Sequence, residues 1–163
     1  MRAVILLAGF AALAACAPRA DKPKFNAAGV VDAIRADEVR WNADWKSGDA
    51  GKIAAHYAPD AVVMDTGEAP VSGIEAIRAA VQKTIDDQAF SLTFSSDKVD
   101  VAASGDLAAS KGVFTETATD PTSKAVSKVT GTFVTVYKPQ PGGGWKAVWD
   151  IATPGATMAG AAK

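Results

Sequence analysis

The sequence has one cysteine and one histidine among its 163 residues. A single cysteine excludes an intramolecular disulfide framework and paired CxxC zinc sites, and a single histidine excludes HExxH chemistry and any cage of several histidines. Charge of one sign is also lacking, because 17 basic side chains stand against 18 acidic ones. That balance argues against a nucleic-acid partner. We therefore expect no metal, no other cofactor and no nucleic acid.

An uncharged apolar run over residues 3–15 is shorter than the roughly 20 residues that a membrane-spanning helix needs, which is typical of a secretory signal. The run ends in LAAC at residues 13–16, which resembles the lipobox of bacterial lipoproteins, where cleavage precedes a cysteine that receives lipid. The resemblance implies lipid on Cys16. Because alanine rather than aspartate stands at Ala17, it also implies an outer-membrane protein that faces the periplasm. The alternative is an ordinary signal, which would leave a soluble secreted protein.

The chain divides into four segments on this basis. Residues 1–15 form the lipoprotein signal peptide, and residues 16–28, with prolines, scattered charges and no apolar periodicity, form a flexible tether. Residues 29–154 form one domain with a single core, since the length and the 48% hydrophobic content suit one packed unit. Residues 155–163 form a disordered tail with nothing to anchor it.

Helices are predicted first in the domain. Over residues 30–46, apolar side chains recur at helical spacing on one stripe, namely Val31, Ile34, Trp41 and Trp45. Gly48 ends this helix and Asp49 caps a short second helix over residues 52–57. A third helix is predicted over residues 74–85.

Strands dominate the rest of the sequence. A short apolar run at residues 61–64 precedes the third helix, and runs rich in valine, threonine and aromatic residues follow it at residues 90–102, 107–119, 125–138 and 145–153. Short turn signals separate these runs, so we expect successive antiparallel hairpins. Helices followed by a meander indicate an α+β domain with one sheet face covered by the helices.

Four local motifs agree with this order of elements. They are SGD after the aromatic helix, HYAPDAV at residues 56–62, SGIEAIR at residues 72–78 and GGWKAVWD at residues 143–150. Together they resemble the SnoaL-like and ketosteroid-isomerase-like branches of the nuclear transport factor 2-like superfamily. The resemblance implies a cone-shaped, curved antiparallel sheet wrapped around N-terminal helices, and a homodimer formed through the outer sheet face. Because the superfamily holds isomerases, cyclases, dehydratases and plain binding domains, the fold does not decide the function.

In ketosteroid isomerases a carboxylate shortly after the first strand is the general base, and the resemblance implies this role for Asp65. Asp65 leaves an apolar strand at the rim of the expected cavity, where partial loss of water raises the pKa of a carboxyl group toward a working value. The alternative is a turn aspartate whose side chain accepts hydrogen bonds from the backbone of residues 66–68.

Glu38 falls within the apolar arc of the first helix at 100° per residue. A carboxylate in that position is a candidate acid, base or ligand for a cationic group inside the cavity. The alternative is a side chain at the edge of the stripe that pairs with Arg35 or Arg78.

Aromatic side chains supply the expected ligand pocket, since such walls suit flat apolar ligands, although they also fill cores. The predicted pocket residues are Trp41, Trp45, Tyr57 and Trp149. Alternation with period two places Trp149 on the same strand face as Trp145, Ala147 and Ile151, toward the first helix, and places Asp150 at the surface. His56 is expected to pack or cap at the second helix.

These observations favour two functions. The first is a lipid-anchored envelope domain whose apolar cavity binds a small, largely nonpolar molecule or a protein partner. The second is a cofactor-independent isomerase, cyclase or dehydratase in which Asp65 is the general base and Trp41 or Glu38 assists. A purely structural role as a homodimer is a third possibility.

Overall fold

The computed structural model describes residues 25–155. The predicted signal peptide, Cys16, the first part of the predicted tether and all but the first residue of the predicted tail lie outside these residues. Within residues 25–155, no helix combines the length and the apolar character that crossing a membrane requires.

Three helices lie on one side of the fold: α1 at Ala27–Ser47, α2 at Ala50–Ala54 and α3 at Ile74–Ile85. Asn26 caps α1 by accepting a hydrogen bond from the Gly29 backbone N–H at 3.0 Å, so this helix begins within the segment that the sequence indicated as tether. Gly48 ends α1 with φ of 68°, a conformation that favours glycine. Asp49 caps α2, as predicted, by accepting from the backbone N–H of Lys52.

Six strands form one sheet: β1 at Tyr57–Asp65, β2 at Val71–Ser72, β3 at Ser91–Val101, β4 at Ala108–Thr119, β5 at Val126–Pro139 and β6 at Trp145–Pro154. Their spatial order is β2-β1-β6-β5-β4-β3. The predicted α+β fold is confirmed, but the sheet is mixed, because β1 and β6 run parallel. No hairpin joins these two strands, so nothing local dictates an antiparallel direction.

The second helix and the first strand differ from their predicted bounds. The sequence indicated a second helix over residues 52–57, whereas Tyr57 and the following Pro59 belong to β1. Proline is tolerated in a strand where its missing N–H is not needed for the ladder. The β1–β6 register has an irregularity between Tyr57 and Val62, and Pro59 lies within it.

The helices cover one face of the sheet, which we call the inner face, and leave the outer face bare. Alternation along β5 buries Phe133 and Tyr137 on the inner face and exposes Thr132 and Val134 on the outer face. The core joins apolar side chains of all three helices to the inner face, and it includes Ile34, Trp41, Ile53, Ile77, Tyr137 and Ala147.

A bulge in β6 reverses the alternation that the sequence suggested. The register shifts between the pairs formed by Ala147 and Trp149, so Val148 is an extra residue. Trp145 and Ala147 pack with the core, whereas Trp149 and Ile151 are 48% and 37% exposed on the outer face. The prediction that these four residues share one face, with Trp149 meeting the first helix, is wrong for this reason.

Candidate functional site

Glu38 is a buried carboxylate between α1 and the inner face, with 5% of its surface exposed. The Tyr137 hydroxyl donates to its Oε1 at 3.2 Å, and the Ser96 hydroxyl donates to its Oε2. The two arginines considered as partners bind elsewhere: Arg35 donates to the backbone carbonyl of Ser96, and Arg78 contacts a glutamate on its own helix. Glu38 therefore lies inside the fold, as its place on the apolar stripe predicted.

Asp150 forms a second polar group on the inner face. The hydroxyls of Tyr57 and Thr135 donate to its two carboxylate oxygens at 2.7 and 2.8 Å. Burial raises the pKa of Asp150, and these two hydrogen bonds oppose the rise. Burial and the neighbouring charge of Asp150 also raise the pKa of Tyr57 well above its ordinary value. The predicted surface position of Asp150 is wrong, because the bulge at Val148 turns it inward.

Asp65 lies at the end of β1 and remains accessible to solvent. The turn that follows is closed by its backbone carbonyl, which accepts from the Glu68 N–H at 3.1 Å. Burial by the surrounding protein, together with the charge of Glu68, raises the pKa of the Asp65 carboxyl group. This is the direction expected of a carboxylate at a cavity rim, but neither of the two cavities that border α1 is lined by Asp65.

Glu116 on β4 is a neighbouring carboxylate that the sequence analysis missed. Burial raises its pKa first, and the charge of Asp65 adds to the rise. Glu116 pairs across the sheet with Leu92 and Val129, and all three are partly exposed. We call this part of the inner face, with Asp65, the open end. Alternation along β4 from the buried Phe114 could have placed Glu116 here.

Trp41 is the centre of the aromatic packing. Its ring stacks on His56 with centroids 5.1 Å apart and meets Tyr57 and Phe94 edge to face at 4.9 and 5.7 Å. Phe94 in turn meets Phe133 at 5.6 Å. Trp41 and Tyr57 are therefore core residues whose rings are already in contact with protein.

The other two predicted pocket residues lie apart from this cluster. Trp45 packs against Phe90 with ring centroids 5.6 Å apart, beside a groove at the start of β3. Trp149 is on the outer face, on the far side of the sheet from α1. The structure thus brings together Glu38, Trp41 and Tyr57 but places Trp45 and Trp149 elsewhere.

His56 is held between two carboxylates of α1. Its Nδ1 lies 2.9 Å from Asp37 Oδ2, and its Nε2 lies 2.9 Å from Asp44 Oδ2. Burial disfavours the charged ring, but the hydrogen bonds to Asp37 and Asp44 outweigh that effect and raise the pKa of His56. His56 thus packs against α1, beyond the end of α2, with a carboxylate oxygen within hydrogen-bond distance of each ring nitrogen.

Among the cavities in residues 25–155, two border α1. One of about 260 Å³ lies beside the hairpin that joins β5 and β6, and one of about 510 Å³ lies beside the start of β3. Neither of these two is lined by Glu38, Asp65 or Asp150. Glu38 is 5% exposed, Asp150 is partly exposed, and Asp65 is exposed at the open end. In the part of the chain that the structure describes, no cluster of three histidine, cysteine or acidic side chains is arranged to hold a metal ion.

Helices packed on one face of a six-stranded, mostly antiparallel sheet define the nuclear transport factor 2-like fold, which is the class of this protein. Within that class, the model of the SnoaL-like domain family matches residues 39–145. The chain belongs to the SnoaL-like domain family. No curated protein matches the sequence.

Solved structures agree on the fold. A ketosteroid isomerase-like protein from Erwinia carotovora atroseptica is 17% identical, with 80% of this chain and 98% of that chain covered and a TM-score of 0.64. A nuclear transport factor 2-like superfamily protein from Salmonella enterica serovar Typhimurium is 18% identical, with 83% and 99% covered and a TM-score of 0.65. An NTF2-like protein from Novosphingobium aromaticivorans is 20% identical, with 83% and 86% covered and a TM-score of 0.63. These likenesses show the fold and leave the activity open.

The pKa of His56 can be measured directly, because it is the only histidine in the chain. Proton NMR titration of a protein without a polyhistidine tag should give one imidazole signal with a pKa above about 6.5. Since the folded-state pKa is raised, the stabilisation from this ring is complete below about pH 6.5 and is lost as the pH rises through the folded-state value. Asp44→Asn removes one carboxylate and should lower the pKa of His56. A wild-type pKa at or below 6.5 contradicts the assignment.

Proposed function

We propose that this domain binds a small, largely apolar molecule at the open end of its inner face. The observation that supports the proposal is the mixture of side chains there: Leu92 and the Phe94–Phe133 ring pair are apolar, and Asp65 and Glu116 are carboxyl groups. Binding sites for small molecules combine a mostly apolar lining with a few polar groups that orient the ligand. Partial exposure of Leu92 and Glu116 leaves this lining accessible from solvent.

The polar groups deeper in the fold have a positioning role in this proposal. Glu38 and Asp150 have both carboxylate oxygens occupied by hydroxyl donors. Buried polar groups that are satisfied in this way rigidify the structure around them. They therefore hold the inner face in shape beneath the ligand, and Asp65 and Glu116 are the groups that contact it.

We also propose that the domain works in the cell envelope, attached by lipid on Cys16 to the outer membrane and facing the periplasm. The apolar run at residues 3–15 and the LAAC motif at residues 13–16 support this location. Because α1 begins at Ala27, the residues between Cys16 and the helix would separate the lipid from the folded domain. Several acyl chains on one cysteine make a lasting anchor, at about 0.8 kcal/mol for each buried methylene.

Intact mass measurement tests the anchor. The protein extracted from the membranes of its own host should begin at Cys16 and carry the added mass of acyl chains, and Cys16→Ser should lack the acyl mass. The substitution changes one atom in a segment outside the described fold, so the domain itself should unfold at the same temperature in both forms. An unmodified chain that begins at another residue contradicts the proposal.

A second candidate function is acid–base catalysis without a cofactor, with Asp65 as the general base. The observation that favours it is that Asp65 is accessible and has a raised pKa, next to a second carboxyl group, Glu116, with a raised pKa. A carboxyl group of that kind exchanges protons more readily near neutral pH than an ordinary one. The two residues suggested as assistants lie deeper, since Glu38 is engaged by hydroxyls and Trp41 by aromatic rings.

Carbon-detected NMR titration of the side-chain carboxyl groups tests the basis of catalysis. Asp65 should titrate above its ordinary value of about 3.9. Asp65→Asn should lower the pKa of Glu116, because it removes the charge that raises it. Asp106→Asn, in the hairpin at the opposite end of β4, is the matched control and should leave Glu116 unchanged. An ordinary pKa for Asp65 would remove the support for catalysis and leave binding as the remaining function.

We further propose that a second copy of the chain covers the outer face. Val134 and Ile151 are paired neighbours there, Trp149 precedes Ile151 on β6, and Val113 lies on the adjoining strand β4. All four are more than one-third exposed. Contiguous exposed apolar side chains are typical of protein contact sites. A copy of the same face would bury them on both sides, as a two-fold interface does.

Native mass spectrometry of the delipidated domain, purified from its own host, tests the ligand and the second copy together. We predict a dimer mass and an additional small-molecule mass on each copy. Trp149→Lys should shift the population to monomer, because it places a charge on the apolar patch, and Lys128→Gln on the same face is the control. Loss of the small molecule with Asp65→Asn and Glu116→Gln together would support the open end. Ligand-free monomers from the host contradict both proposals.

A further inference from the structure

The cavity of about 260 Å³ beside the β5–β6 hairpin has features of a second binding site. We call it the hairpin cavity. It lies at the opposite end of β5 from the open end, since Tyr137 near the end of that strand lines it and Val129 near the start belongs to the open end. Its floor is apolar: Ile34 and Tyr137 are buried, and Trp145 is partly buried. The Tyr137 hydroxyl is turned away to Glu38, which leaves its ring to line the cavity.

The rim of the hairpin cavity carries an excess of positive charge. Arg40, Lys146 and Asp37 line it, which gives two positive charges against one negative charge. Asp37 is already engaged on both oxygens, since Oδ1 accepts from Arg40 at 2.7 Å and Oδ2 lies 2.9 Å from His56. Arg40 has five N–H donors and Lys146 has three. Arg40 uses one donor in its hydrogen bond to Asp37, and Lys146 uses one in its hydrogen bond to the Ala55 carbonyl. The other donors of both side chains remain for a ligand.

The entrance is formed by backbone without side chains. Gly143 and Gly144 have φ of 87° and 78°, a region that favours glycine. A Cβ atom at either position would meet nothing within 4 Å, so the rim there is open rather than packed. A ligand can therefore approach the backbone of the hairpin and the Trp145 ring from solvent.

We propose that the hairpin cavity binds a small organic anion in which a carboxylate is attached to a single flat apolar ring. The carboxylate is held by Arg40 and Lys146, because charge-assisted hydrogen bonds to carboxylates are the strongest that these side chains make. The ring lies against Trp145, Tyr137 and Ile34. The volume of about 260 Å³ exceeds the roughly 150 Å³ of a cavity that holds benzene and is below the roughly 300 to 1,000 Å³ of sites for drug-sized ligands, so one ring with its carboxylate fits. This site is independent of the function proposed for the open end.

Sodium benzoate is the probe and benzamide is its uncharged counterpart of nearly the same shape. Both are added to the ¹⁵N-labelled domain and followed by amide NMR, with sodium chloride added to match the ionic strength. Benzoate should cause saturable shifts of the Gly143 and Gly144 amides and the Trp145 indole N–H. Benzamide should bind at least about tenfold more weakly, since it lacks the charge that Arg40 and Lys146 recognise.

Two substitutions test the residues. Arg40→Gln and Lys146→Gln should each weaken benzoate binding about tenfold, and Lys128→Gln, which removes the same charge at the far end of β5, should not. Dispersed amide signals show that each variant is folded, and Lys146→Gln decides the matter if Arg40→Gln does not fold. The proposal is overturned by the absence of saturable shifts, by equal binding of benzamide, or by benzoate shifts that map to Asp65 and Glu116. That last result would instead bear on the open end.

Discussion

The hydrogen bonds of Glu38 with Ser96 and Tyr137 tie α1 to β3 and β5, alongside two hydrogen bonds between the Asn42 side chain and the Phe94 backbone. Burying a carboxylate costs free energy of desolvation unless hydrogen-bond donors satisfy its oxygens. These two donors come from β3 and β5, so the helix has one position in which the carboxylate is satisfied. Trp41 lies one turn further along α1, and the same position of the helix brings its ring against His56 and Tyr57. The aromatic core and the Glu38 group therefore share one placement of α1.

The inner face has two parts, a closed part that α1 covers and an open part that it leaves uncovered. Where α1 lies on the sheet, both carboxylate oxygens of Glu38 accept hydrogen bonds from hydroxyls, and Tyr57 joins the Asp150 group to the aromatic core. Toward the ends of β1 and β4 the helices cover the sheet incompletely, and solvent reaches Asp65 and Glu116. The pKa values of both carboxyl groups are raised there. The proposed binding function uses the open part, and the closed part keeps its geometry constant.

The sequence predicted the features that local chemistry controls. The third helix was predicted at its observed bounds, Ile74–Ile85, because an apolar stripe defines it. The end of α1 at Gly48 follows from the backbone conformation that glycine favours. The start of α2 follows from capping by Asp49. The inward position of Asp150 was not predictable, because it depends on the bulge at Val148, and a bulge arises from pairing with another strand. Alternation from Phe114 places Glu116 on the inner face and could have been read from the sequence, whereas the effect of Asp65 on it depends on the fold.

A double-mutant cycle on Glu38 and Tyr137 tests the central claim, namely that hydrogen bonds to the buried carboxylate seat the first helix. Urea unfolding would compare Tyr137→Phe in the wild type and in a Glu38→Leu background. Removing a hydroxyl that donates to a buried carboxylate should cost about 1.5 to 3 kcal/mol of unfolding free energy. The same change should cost little once leucine has replaced the carboxylate. Equal losses in the two backgrounds, within about 0.5 kcal/mol, would contradict the account.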